Sequence, residues 1–168
     1  MQKQQGFTLI ELVVVIIILG ILAVVAAPKF INLQGDARVS TLQGVKAAIQ
    51  GSNTLVYSKA VIAGEEKKGL NTERGSVDIG SSSPVSTRFG YIEGDAAQLL
   101  LAVELSASDW SVTGTGGKVR IQQVGAPDTC YLDYNEAASA GALPTFTTDI
   151  EDPNDSTKKL PMPAASDC

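Results

Sequence analysis

FTLIELVVVIIILGILAVVAA, residues 7–27, is the stretch on which the reading of the whole chain turns. Its 21 residues carry a single ionisable side chain, Glu11. Wound as a helix they reach about 31 Å at 1.5 Å per residue, which matches a hydrocarbon core of roughly 30 Å. A cleaved secretory signal, cut near Ala26–Ala27 where small residues stand, is the plain alternative. Three features oppose it. A carboxylate inside an apolar run costs roughly 2.5–3.5 kcal/mol on insertion scales, so its presence points to function. The run is longer than the apolar core of about 7–15 residues that signal peptides use. Helix-compatible sequence also resumes after Pro28 and continues to about Ala63.

Beyond Pro28 the pattern changes character. Leu42, Val45, Ala48, Ile49, Ser52 and Val56 recur at three- and four-residue spacing, with Lys46, Gln50 and Asn53 between them. That spacing predicts an amphipathic helix with one face against a soluble core. One helix, residues 7–63, thus serves two solvents: apolar all round over 7–27, amphipathic over 28–63. Gly20, Pro28, Gly35 and Gly44 are its expected weak points, since proline removes a backbone donor and clashes with the carbonyl four residues back.

Residues 64–168 are rich in Gly, Ser, Thr and Asp and read as one small globular unit. A loop from Glu65 to about Val85 contains three glycines and a Ser81–Pro84 run. Asp95 is placed to cap a short helix, Ala96 to about Leu105, with Leu99, Leu100 and Val103 on its apolar face. Trp110–Thr113 and Lys118–Val124, separated by Gly114-Thr115-Gly116-Gly117, predict a hairpin. Tyr131–Asn135 and Thr145–Ile150 are further strands. The expected fold class is α+β: a long N-terminal helix packed on a small antiparallel sheet.

Composition removes several functions. The absence of histidine excludes Ser-His-Asp and Cys-His nucleophiles and most zinc sites. With 13 Lys+Arg against 18 Asp+Glu and no basic cluster, nucleic acid has no electrostatic footprint. Gly116-Gly117-Lys118 fails as a phosphate loop, because Val119 stands where Ser or Thr is required and Val112 where the first Gly belongs. Nothing asks for a cofactor, and no catalytic constellation is present.

Met1-Gln-Lys-Gln-Gln-Gly6, followed by Phe7-Thr8-Leu9-Ile10-Glu11-Leu12, resembles the leader and cleavage motif of type IV prepilins, of type IVa. The stretch Ala27 to Arg38 (APKFINLQGDAR) resembles the pilin of mannose-sensitive haemagglutinin (MSHA) pili. The resemblance implies a leader, residues 1–6, removed between Gly6 and Phe7 by a prepilin peptidase that then methylates the Phe7 amine. Gly6 would carry recognition beside the cut, Glu11 would be needed for assembly, and 7–27 would become the filament core. Partners implied are other copies of the chain and an inner-membrane assembly machine with its ATPase. The product implied is an adhesive pilus outside a Gram-negative cell, reached through a single-pass inner-membrane precursor. A physical reason supports the role of Glu11: a buried carboxylate is tolerated when paired, and a neighbour's Phe7 amine could pair with it, fixing register.

Cys130 and Cys168 are the only cysteines, too few for a four-ligand zinc site. In an oxidising compartment they are expected to join, as in the disulfide-bounded C-terminal region that the resemblance implies. Closing that loop stabilises by about 4 kcal/mol in the chain-entropy model. Lys29, Arg38 and Lys46 follow the apolar run while only Lys3 and the α-amine precede it, so a positive-inside count does not favour this topology. The acidic stretch with Asp149, Glu151, Asp152 and Asp155 offers oxygen ligands for Ca²⁺ without EF-hand spacing, and reads first as a solvated loop. Tyr91, Trp110, Tyr131 and Tyr134 are core residues first and sugar platforms second. Two other functions stay open: a pseudopilin of a type II secretion system, and a membrane-anchored carbohydrate-binding module recognising surface glycans.

Overall fold

The computed structural model describes residues 6–69, 73–152 and 155–168. Leader residues 1–5, residues 70–72 of the expected loop and residues 153–154 of the acidic stretch lie outside the described residues.

Helix α1 runs from Leu9 to Ala63, 55 residues or about 82 Å. It is unbroken across Gly20, Pro28, Gly35 and Gly44, so none of these ends it. Thr8 caps its start and Gly64 its end. Gly64 takes a left-handed conformation (φ 72°) that residues with a Cβ avoid, and from there its N–H reaches the Ala60 and Val61 carbonyls. The apolar first half has no cover among the described residues. The second half places Leu42, Ile49 and Val56 fully inside.

What covers them is two antiparallel sheets and a short helix. Strands β1 (Gly75–Val77), β2 (Val85–Arg88) and β3 (Tyr91–Ile92) form one sheet in the order β1-β2-β3. Helix α2, Ala96–Ala102, follows under its Asp95 cap, whose carboxylate accepts from Ala97 and Gln98 N–H. Strands β4 (Trp110–Thr113), β5 (Lys118–Gln123), β6 (Tyr131–Asn135) and β7 (Thr145–Thr147) form the second sheet in chain order. A hairpin of β8 (Glu151–Asp152) and β9 (Asp155–Lys159) and a 3₁₀ turn, Ala165–Asp167, complete the described elements. Alternation carries β5, where Val119 and Ile121 are buried and Lys118, Arg120 and Gln122 are not. Strand β6 is buried almost throughout, because Asp133 on its outer side is covered by Lys118 and Arg120.

The α+β reading and the β4–β5 hairpin agree with the structure. Several local expectations do not. Asn53, read as part of the polar face, is buried, and Ala48, read as inward, is exposed. Helix α2 stops at Ala102 because Val103 is already extended (φ −135°, ψ 120°), and Leu100 points outward. The segment read as a loop from Glu65 to Val85 contains β1, and the sheet it joins was not foreseen. Likewise the acidic stretch contributes to the paired strands β8 and β9, and β7 ends at Thr147 rather than Ile150.

Candidate assembly site

The N-terminal turn is organised by three residues. Thr8 lies in extended backbone, and its hydroxyl oxygen accepts from the Glu11 N–H at 3.3 Å. The Glu11 carboxylate returns the contact, accepting from Thr8 N–H at 2.9 Å and from the Thr8 hydroxyl at 2.8 Å. This reciprocal capping box satisfies donors that a helix start otherwise leaves open. The isolated chain therefore does not leave Glu11 without partners. A carboxylate has about four lone-pair positions, and these donors are neutral, so room remains for a cation. Just before the box, Gly6 and Phe7 are non-helical and exposed, Phe7 by 92%.

From Leu9 to Val25 large aliphatic side chains emerge on every face of α1. Among the described residues no other element packs on them. Such a surface is stable only in lipid or against other copies of a similar surface.

The globular part is tied to α1 at several polar points. Asn53 Oδ1 accepts from the Ile92 N–H at 3.0 Å and lies 3.4 Å from the Tyr134 hydroxyl oxygen, joining α1 to β3 and β6. Tyr134 donates to the Ile92 carbonyl at 2.6 Å, and burial pushes its phenol pKa well up. Lower on α1, Arg38 donates to the Cys168 carbonyl at 2.6 Å and to the Gly125 carbonyl at 3.0 Å. One turn earlier the 3₁₀ turn lies directly on Gly35, where a Cβ would come within 2.2 Å of the Ala165 oxygen. Cys130 and Cys168 are joined as a disulfide with Cα atoms 4.6 Å apart. Cys168 is thus held by a covalent bond to Cys130, the residue before β6, and to α1 by Arg38.

Two charge clusters were not anticipated. Glu136, nearly buried, accepts from Arg88, from Arg74 at 3.2 Å and from the Gly94 N–H at 2.9 Å. Burial alone would raise its pKa, but the Gly94 N–H and the two guanidinium groups outweigh that and hold it below the usual carboxylate range. On the sheet's outer face Asp133, fully buried, pairs with Lys118 at 2.7 Å and Arg120 at 2.9 Å. Arg120 also reaches Asp149 at 2.6 Å and lies 3.6 Å over the Tyr131 ring. The Arg120 bond, then the Tyr131 hydroxyl, hold Asp149 below its ordinary pKa.

This geometry leaves little for Ca²⁺. Asp149 faces Arg120 and Lys118, Glu151 has Lys159 at 3.9 Å, and Asp155 pairs with Lys158 at 3.0 Å. Among the described residues no group of three or more metal-ligating side chains converges. Of the aromatic residues, Tyr134 and Tyr131 are buried. Tyr91 stacks on Tyr57 with ring centres 4.7 Å apart, at the wall of a groove of about 270 Å³ that Leu143, Pro144 and Phe146 also line.

Comparison with known proteins bears on the N-terminal turn and on the whole chain. A family profile described as "Prokaryotic N-terminal methylation motif" matches residues 1–27. Fimbrial protein Q of Moraxella bovis is 34% identical over 107 residues, covering 59% of this chain and 68% of that protein. The type IV major alpha-pilin of Moraxella bovis is 28% identical over 149 residues, 82% of this chain and 91% of that protein. The type IV narrow pilus major component PilA5 of Thermus thermophilus is 37% identical over 58 residues, 34% of this chain and 50% of its own, so the chain spans about half of that relative's length. No solved structure matches the chain.

Proposed function

We propose, since the chain belongs to the type IV pilin family, that it is the major subunit of an adhesive type IV pilus, of the mannose-sensitive haemagglutinin kind. As a pilin it is a structural subunit and not an enzyme. The observation that carries the reading is the union of two surfaces in one helix. Residues 9–25 of α1 are apolar, uncovered and interrupted only by Glu11, while residues 42–60 are locked into a folded head. A chain built this way is soluble at one end and must be solvated by lipid or by its own kind at the other.

The proposed sequence of events follows. The precursor crosses the inner membrane once through residues 7–27, with the head outside. Prepilin peptidase removes residues 1–6, leaving an amine on Phe7 that is then methylated. An ATP-driven assembly machine lifts subunits into the filament, because apolar side chains gain little by exchanging lipid for one another. The amine of each subunit pairs with Glu11 of a neighbour. The resemblance of residues 27–38 supports the haemagglutinin subtype, and attachment to surface glycans would be a property of the assembled fibre. The disulfide at the chain end favours a pilin over a secretion pseudopilin, whose major type usually lacks it.

Shearing the cell surface and imaging the released material with an antibody to this chain tests the proposal. Long labelled fibres whose subunits begin at methylated Phe7 are expected. Short envelope-bound filaments would transfer the chain to a secretion machine, and subunits retaining residues 1–6 throughout the fibre would overturn the processing scheme.

A further inference from the structure

Helix α1 starts at Leu9 because Thr8 stops the backbone there. Thr8 is extended (φ −81°, ψ 152°), its hydroxyl caps the Glu11 N–H, and Glu11 caps Thr8 in return. Immediately before the cap, the Gly6–Phe7 peptide is non-helical, both residues are exposed, and a Cβ built on Gly6 would meet open space. A protein that binds a segment through its main chain pairs with N–H and C=O groups, which an extended segment offers. A helix consumes those groups in its own bonds.

The cap matters more in an apolar setting than in water. There an N–H without a partner costs several kcal/mol, so an uncapped first turn is driven to wind backwards. Leu9, Ile10 and Glu11 would then take carbonyls from the residues preceding them, and the backbone at Gly6 and Phe7 would be drawn into the helix. Glycine resists this by its poor helix propensity, but Phe7 does not.

We propose that Thr8 is a positioning residue for cleavage of the Gly6–Phe7 bond: its cap ends the helix two residues past that bond and keeps the peptide out of the helix and open to the peptidase. The inference rests on Gly6–Phe7 being the processing site, as the methylation motif matched over residues 1–27 supports. In the step itself water adds across the amide. The Gly6 carbonyl carbon gains the hydroxyl, its bond to the Phe7 nitrogen breaks, and the nitrogen departs as an amine with the proton from water. Thr8 takes no part in these bond changes. It sets the conformation in which they occur.

The test uses the full-length chain in membranes with a prepilin peptidase, and mass spectrometry of leader loss over time. Thr8→Val has nearly the shape of threonine without an acceptor, whereas Thr8→Ser and Thr8→Asn keep a good cap. Initial cleavage rates should follow capping preference: Ser and Asn within about twofold of wild type, Val and Ala slower by about fivefold. Amide exchange at Leu9 and Ile10, whose N–H groups gain carbonyl partners as the helix winds back, should slow in Thr8→Val when read in detergent. If wild type is cleaved between Gly6 and Phe7 and Thr8→Val is cleaved equally fast, this inference falls and the processing site stands. If wild type is not cleaved there at all, the processing site falls and the inference with it.

Discussion

Glu11 is the one formal charge among the 21 residues 7–27, and the two roles considered for it are ones that a mutation can pull apart. As a helix cap it needs only an acceptor for the Thr8 N–H and hydroxyl. In the register role proposed for it between subunits it would need negative charge, because a neighbour's ammonium is compensated only by an anion. Gln at this position keeps the first role and loses the second. Glu11→Gln and Glu11→Ala should both insert and be cleaved, and both should lower the yield of sheared filaments by about tenfold or more, the cost of an unpaired buried charge. Filament yield measured by quantitative immunoblot is the check. Normal fibres from Glu11→Gln would leave capping as the only role of this side chain. Gly6 has a different logic, being small rather than charged. A bulky residue there should leave precursor in the membrane, and its normal processing would count against Gly6 as the recognition residue.

At the scale of elements, the long helix was the most legible feature, because a 3.6-residue period over fifteen or more positions leaves few alternatives. The β4–β5 hairpin was legible for a related reason: Gly116 and Gly117 both take positive φ (72° and 105°), which the Gly-Thr-Gly-Gly run announces. The sheet β1-β2-β3 was hidden. Its strands have three, four and two residues, too short for an alternation to declare itself. Asn53 was misplaced for a tertiary reason, since its buried side chain is satisfied by the Ile92 N–H, far away in sequence. Glu136 and Arg88 gave no local signal at all, their pairing spanning 48 residues. The C-terminal turn is the element whose anchoring is most easily tested. Cys168→Ser removes its covalent tie to Cys130, with an expected loss of about 4 kcal/mol by chain entropy. Gly35→Val leaves the disulfide but drives a side chain into the Ala165 carbonyl, and an overpacked contact of this kind costs about 1–3 kcal/mol. Both variants should lower the melting temperature of the detergent-solubilised chain. An unchanged midpoint in Cys168→Ser would mean that the bond adds nothing to the head.

Across the whole molecule, polar anchors rather than core volume decide how the head answers to pH. Glu136 and Asp149 both ionise more readily in the folded chain than in the unfolded one. Each folded carboxyl therefore holds fewer protons than its unfolded counterpart near its titration, and stability rises with pH through that range. Their contribution is complete above the ordinary carboxyl values of about 4.3 and 3.9, and it drains away as pH falls through the lower folded values. Lys118 acts with the opposite sign. The Asp133 carboxylate, opposed by partial burial and joined by Asp149, raises its pKa. Its contribution is complete below about 10.4 and is lost as pH climbs through the higher folded value. Thermal stability should accordingly form a plateau from about pH 5 to about pH 10 and fall off on both sides. Replacing Glu136 with Gln removes one acid-side titration and takes its anion from Arg88, while Arg74 keeps Glu93 at 3.3 Å, so at pH 7 the variant should lose about 2–3 kcal/mol, yet lose less than wild type between pH 5 and pH 3. Melting curves of both proteins across that range decide it, because parallel acid losses would remove Glu136 from the pH response and leave the sheet's outer cluster to account for it.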